Sequence, residues 1–290
     1  MKLFLSKVFL LGAIFFSSAA LACFYFPPLY KGSTDGTQDV FLFHDGANAH
    51  MVIRTTLQAK KFSSRIAWVL PFPSLPSSYE EISGPIFGEL SDILHPIDQS
   101  APQSKGVGTI GGGAGIKVHE SVTLGQFVIQ PIEILKNNST KELNGWLKEN
   151  NFQTTAHSSQ KVYLKKGAAL LAIRMELNQP TANELVSQSL HITYRSDRLS
   201  VPLRFMHIGR TLDLNLYVFS NREMQKNLGN FYLNRDASKS YENLRLQPFV
   251  DSLLLKQKGF ITQYSGKRLN SKTKRLEKLP DDPFFLASEL

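Results

Sequence analysis

Cysteine is almost missing from this chain: Cys23 is the single thiol in 290 residues. One cysteine excludes an intramolecular disulfide framework and any zinc centre built on several thiolates. Long apolar runs are missing as well. Beyond residue 22 nothing approaches the roughly 20 apolar residues that a membrane-spanning helix needs. Motifs for nucleophiles and cofactors are equally scarce. No G-x-S-x-G elbow and no H-E-x-x-H pair occurs. Gly106-x-Gly108-x-x-Gly111 matches a dinucleotide fingerprint in form only, because a polar loop precedes it and a strand pattern follows. No helix N-terminus would then face a pyrophosphate. Ser158-x-x-Lys161 has the spacing of a serine–lysine pair but none of its companion motifs.

Acids are in deficit too, 24 against 33 lysines and arginines, for a formal charge of +9. Eight of those bases lie between Lys256 and Lys278 (Lys256, Lys258, Lys267, Arg268, Lys272, Lys274, Arg275, Lys278) against one acid, Glu277. Such a run can attract an anionic surface; the plainer reading is a solvated, partly disordered C-terminal segment over 256–290. Nucleic acid is not an expected partner, because the N-terminus carries an export address. Lys2 and Lys7 form a positive start, Val8 to Phe16 an apolar core, and Ala20-Leu21-Ala22 a cleavage site. That core is too short to span a bilayer, so residues 1–22 read as a signal peptide cut after Ala22. Loss of its two lysines leaves about +7. Cys23 would then begin the mature chain, either as a free thiol or as a lipidation candidate. The expected location is periplasmic or extracellular, with a lipid anchor if Cys23 is modified and no transmembrane helix in the mature chain.

Hydrophobic periodicity predicts mostly strands. Residues 39–57 read as a hairpin whose turn is Asp45-Gly46-Ala47-Asn48. Ile66 to Leu70 is apolar on both faces, as a covered strand is. Pro71 lacks a ladder N–H, so pairing should stop there or continue only at an edge. Residues 78–94 have helical spacing interrupted by Pro85, which predicts two short helical pieces, with Glu80 and Glu81 serving a first turn. Residues 98–115 read as a long flexible loop, and 116–134 as a second hairpin turning near Gly125. Ser139 and Glu142 form a capping box for a helix over 139–150, with Leu143, Trp146 and Leu147 as its apolar stripe. A short helix or turn at 160–165 leads to strands at 169–177, 190–195, 203–208 and 212–219, the last with one wet face. A helix is expected across 248–257. The order predicts an α+β fold, mostly antiparallel sheet with a few short helices, as a single domain over 23–255.

The stretch "IAWVLPFPSLP" resembles the signature A-W-V-x-P-x-P (here Ala67, Trp68, Val69, Pro71 and Pro73) of a secreted bacterial family, domain of unknown function 2330. "HDG" before it, and "LNGWLKENNF", "VYLKKGAALLAIRME" and "ITYRSDRLSVPLRF" after it, follow in the same order. The resemblance implies export and assigns no catalytic residue, cofactor or ligand.

Among the seven histidines, His44 and His50 flank the first turn, where two imidazoles beside Asp45 could meet and hold Zn or Cu. His119, His191 and His207 sit in strand patterns and read as structural. Trp68 and Trp146 read as core anchors. Arg195, Arg198 and Arg204 make either a basic patch or a turn in which Asp197 pairs locally. The leading functional expectation is a non-enzymatic binding or scaffolding protein of the bacterial envelope, with an envelope protein or an anionic surface as partner. A hydrolase with dispersed residues, or a metal-binding protein using His44 and His50, is the alternative, and the cofactor is left unknown.

Overall fold

A computed structural model describes residues 24–25, 27, 34–59, 65–82, 84–95, 115–154, 158–176, 183–206, 212–224, 228, 233–242, 248–254, 257–269 and 284–286. Residues 1–22, expected to be a signal peptide, Cys23 and nearly all of the glycine-rich loop lie outside these. Two sheets make the body. One, sheet A, has six strands in the order β1 (Phe24–Tyr25), β4 (Arg65–Phe72), β9 (Ala169–Glu176), β8 (Phe127–Ile134) and β6 (Ile116–Val118), with β7 (Val122–Leu124) also on β8. Sheet B runs β14 (Asn234–Tyr241), β15 (Gly259–Leu269), β13 (Leu212–Ser220), β2 (Thr34–His44), β3 (Ala49–Ala59), β11 (Ser189–Tyr194) and β5 (Ser78–Ile82). β10 (Glu184–Val186) adds to β3, and β12 (Arg198–Ser200) pairs with β16 (Phe284–Leu286). Among the described residues all pairings are antiparallel except β2 with β13. The fold is mainly β, consistent with the mostly antiparallel sheet expected.

The main core lies between the sheets. It joins Val40 and Leu42 of β2, Met51 and Ile53 of β3, and Leu214, Leu216 and Val218 of β13 to residues of β4, β8 and β9. Ile66, Ala67, Trp68, Val69 and Leu70 are all buried, as an uninterrupted apolar run requires. Phe72 meets Tyr194 of β11 edge-on at 4.9 Å, so the period of two turns Ile66, Trp68, Leu70 and Phe72 toward sheet B. The helix α2 (Thr140–Glu149) adds Leu143, Trp146 and Leu147. A second core lies on the other face of sheet B. There Phe41, Phe43, Tyr217 and Phe219 pack beneath α1 (Ile86–Leu94) and α4 (Pro248–Leu254). The run Val40-Phe41-Leu42-Phe43 is apolar throughout because it feeds two cores.

Several expectations need correction. Ser78–Ile82 is a strand, not helix, because it completes five residues of ladder on β11; Glu80 and Glu81 therefore serve no helical turn. Among the described residues of 78–94 only those of α1 are helical, and Pro85 stands at its N-cap position, where a missing N–H costs nothing. Leu203–Met206 is the short helix α3 rather than a strand, started by Pro202; His207 lies outside the described residues. The face of β13 expected to be wet is half closed, since Tyr217 lies under α1 against Phe87. Ser139 stands at the N-cap, but its hydroxyl donates back to the Lys136 carbonyl (2.8 Å), and Glu142 pairs with Lys136 instead of closing a capping box. The basic segment is not simply a tail: residues 259–269 are β15, paired on both sides. β14 was also unforeseen. Pro71 does pair, with Leu170 of β9, and the described part of β1 reaches only Ala67 and Trp68, which leaves Pro71 at an edge.

Candidate functional site: a polar rim at the β2–β3 turn

Three of the signature stretches meet at one end of sheet B. The first is the turn His44-Asp45-Gly46-Ala47-Asn48. Asp45 Oδ1 accepts from the amides of Ala47 (2.7 Å) and Asn48 (2.6 Å), an Asx-type turn, and Gly46 supplies the positive φ of 96° that the turn demands. The second is the exit from the family signature. After Phe72 the chain crosses from sheet A to sheet B through Pro73-Ser74-Leu75-Pro76-Ser77. Ser74 Oγ donates to the Arg195 carbonyl (2.8 Å), and the Ser77 amide donates to that of Thr193 (2.8 Å). The third is the end of β11 and the turn after it, where Ser196 Oγ donates to the Arg198 carbonyl (2.7 Å). The signature is thus the corner that ties the two sheets together.

The histidines are distributed differently from expectation. His44 Nε2 faces the Ser196 carbonyl at 2.9 Å, and its Nδ1 accepts from the Gly46 amide. His50 pairs across the hairpin with Phe43, not His44, and its ring stacks on Phe43 at 4.4 Å and 3°. The two rings therefore serve different partners, and the pair expected for a metal is not assembled. Among the described residues no group of three or more His, Cys, Asp or Glu is arranged to hold a metal ion.

His50 instead meets His191, Nδ1 to Nε2, at 3.1 Å. Its other nitrogen lies 3.1 Å from Asp45 Oδ2, and His191 Nδ1 lies 3.6 Å from Glu80 Oε2 on β5. Thr193 Oγ1 is 3.3 Å from His50 Nδ1. The result is a line, Asp45–His50–His191–Glu80, crossing from the turn over β3 and β11 to edge strand β5. Burial, then the neighbouring His50, lowers the His191 pKa, and Glu80 opposes them. Burial pushes the Asp45 carboxyl up, but the amides of Asn48 and Ala47 together with His50 overcome it and hold the group well below the usual range. Alternation in Leu190-His191-Ile192-Thr193 places His191 and Thr193 on one face. Nothing in the sequence could name their partner 141 residues away.

A second polar cluster lies deeper on the same face. Asp39 accepts two bonds from Arg54, Nε at 3.1 Å and Nη2 at 2.7 Å, and one from Asn215 Nδ2 at 2.8 Å. The Arg54 guanidinium also lies 5.1 Å over the Phe87 ring. Glu89 of α1 accepts from the Val250 amide (3.0 Å) at the start of α4, joining the two helices that cover this face. Burial raises the Glu89 pKa, against the lowering by the Val250 and Phe249 amides.

The other candidates stay apart from the rim or at its margin. Trp68 and Trp146 are buried core residues. His119 faces Glu133 at 3.2 Å on sheet A. Ser158 and Lys161 lie on the 3-10 turn Ser158–Tyr163, with the Ser158 side chain outside the described set. Arg195, Asp197 and Arg198 are exposed beside the rim; the Arg204 side chain is also outside that set.

A sequence profile of a bacterial family described as an uncharacterised protein conserved in bacteria, domain of unknown function 2330, matches residues 18–239. No curated protein matches. Among solved structures, baculovirus P35 is similar over 88% of this chain and 97% of its own, at 8% identity and a TM-score of 0.43. A mutated baculovirus P35 after caspase cleavage covers 81% of this chain and 92% of its own, at 8% identity and a TM-score of 0.38.

Proposed function

The chain belongs to this uncharacterised bacterial family, and from that premise we propose that it is an exported envelope protein with a non-catalytic binding or scaffolding role. One observation carries the reading. The polar groups of the turn and of the corner beside it are spent on one another and on backbone: Asp45 on two amides and His50, His44 on a carbonyl and an amide, Ser74 and Ser196 on carbonyls. A catalytic set keeps at least one acid, base or nucleophile turned toward a place where substrate can sit. Here the same residues brace a corner. Two long sheets braced at that corner offer a rigid frame for a partner, and an anionic surface or another envelope protein suits the basic balance.

The N-terminal pattern supports export to the periplasm or beyond, and Cys23 is the candidate for a lipid anchor. Fractionation of cells making the full chain, with the mass of its mature N-terminus, tests the address; an uncut cytoplasmic chain refutes it. Co-sedimentation with phosphatidylglycerol vesicles against zwitterionic ones tests the anionic partner. Turnover of ester, peptide or glycoside substrates that disappears in His50→Gln overturns the non-catalytic reading.

A further inference from the structure

The meeting of His50 and His191 sets a chemical problem that the corner's bracing role does not explain. Their ring centroids are 5.3 Å apart while the facing nitrogens are 3.1 Å apart. The difference leaves about 1.1 Å for each ring, an imidazole's own radius, so the nitrogens meet head-on, as a linear hydrogen bond prefers. A metal ion does not fit this arrangement. Bonds of about 2.0 Å to each nitrogen would require the two lone pairs to converge from the side, near the tetrahedral angle. One proton between the nitrogens fits.

Its owner follows from the surrounding acceptors. Asp45 Oδ2 faces His50 Nε2, so that nitrogen carries hydrogen and His50 Nδ1 is left as an acceptor. The Thr193 hydroxyl oxygen lies 3.3 Å from the same nitrogen. His191 Nε2–H is then the donor to His50, and His191 Nδ1 has only a lone pair. That atom is buried, has no hydrogen-bond partner within range, and faces the Glu80 carboxylate.

We propose that the pair is a one-proton site: His191 takes up a proton at Nδ1, which joins it to Glu80 and ties the β2–β3 turn to edge strand β5. The product is a continuous line of donors and acceptors from Asp45 to Glu80, with one positive charge between two carboxylates. A second proton has no place, because on His50 Nδ1 it would oppose the N–H of His191. Two histidines so placed bind one proton where two separate ones bind two.

The charged groups shown facing the pair are Asp45 of the turn and Glu80 of β5, while β2 packs the Phe43 ring against both histidines. Arg54, farther along β3, is committed to Asp39, and Glu89 of α1 to the amides of α4. Burial and His50 act against uptake while Glu80 favours it, so uptake falls on the acid side of a free imidazole.

The test is histidine ring-nitrogen NMR of the full chain across pH 4–8. A single uptake is expected at His191 Nδ1, with Nε2 protonated throughout. Glu80→Gln, a change at a side chain that is 66% exposed, should lower the His191 midpoint by about half a pH unit. His50→Ala should raise it. Two uptakes at a common midpoint, or a His191 midpoint unmoved by Glu80→Gln, overturn the proposal. Stoichiometric displacement of the shared proton by added Zn²⁺ overturns it in favour of a metal site.

Discussion

Replacement of Asp39 by asparagine should be among the more damaging single-atom changes in sheet B. Its side chain is 10% exposed, and its Oδ2 takes both hydrogen bonds from Arg54, whose side chain is 31% exposed. Asparagine keeps the shape and can keep the bond to Asn215, but the charge opposing the guanidinium is lost. Breaking a fully buried ion pair costs about 3–5 kcal/mol, and the partial exposure of Arg54 reduces that to about 2–3 kcal/mol. For a chain of this size the fall in Tm is on the order of 5–10 °C. Arg54→Met removes the other charge and keeps much of the aliphatic packing under Phe87. The double variant should then recover part of the loss, with a coupling of about 1–2 kcal/mol in a guanidinium-unfolding cycle. Additivity within about 0.5 kcal/mol refutes the reasoning, for it would mean that water already screens the pair.

Leu147→Ala should lose about 3 kcal/mol by the same measurement, since this residue is fully buried between α2 and the main core. Gly145 lies inside α2 with open space where a Cβ would go, so Gly145→Ala should add about 0.5–1 kcal/mol. Gly167→Ala should do the opposite, losing about 1 kcal/mol, because φ there is 89° despite equally open space. Asp45 is held below its unfolded pKa, so its contribution is present above about pH 4 and fades as acid is added. Stability of Asp45→Asn should therefore fall less than that of the parent in acid-unfolding curves below pH 4. Glu89 carries the opposite sign: its raised pKa gives stability that is lost as pH rises through the folded value. Glu89→Gln should flatten that loss in unfolding curves taken between pH 4 and 7.

The elements read well from sequence are those whose pattern is local. The β2–β3 hairpin announces itself through Asp45-Gly46 between apolar runs, α2 through the spacing of Leu143, Trp146 and Leu147, and β4 through five apolar residues in a row. The failures have another origin. Tyr79-Glu80-Glu81-Ile82 looks helical until β11 offers it a ladder, and β15 lies within a run of lysines and arginines. Asp213 shows how that run is accommodated: its carboxylate accepts from the Arg268 amide (2.7 Å) and lies 3.7 Å from Lys267 Nζ. The rim was only half legible. His44 and His50 drew attention as neighbours in sequence, whereas the interaction that matters runs to His191, and pairing across 141 residues leaves no local periodicity.

The parallel contact of β2 with β13 joins residues 36–42 to 212–218. Most of sheet A, from β4 to β9, is encoded between those two strands. A chain delivered from its N-terminus therefore presents the β2–β3 hairpin first, with both outer edges unpaired, while sheet A can close from sequence already in hand. Only when residues 189–220 arrive can β11 and β13 seal the two sides of the hairpin. Assembly is slow by topology, and the exposed edges of β2 and β3 are where self-association would begin. The order of synthesis thus leaves the central strands of the larger sheet without their outer partners until residues 189–220 have arrived.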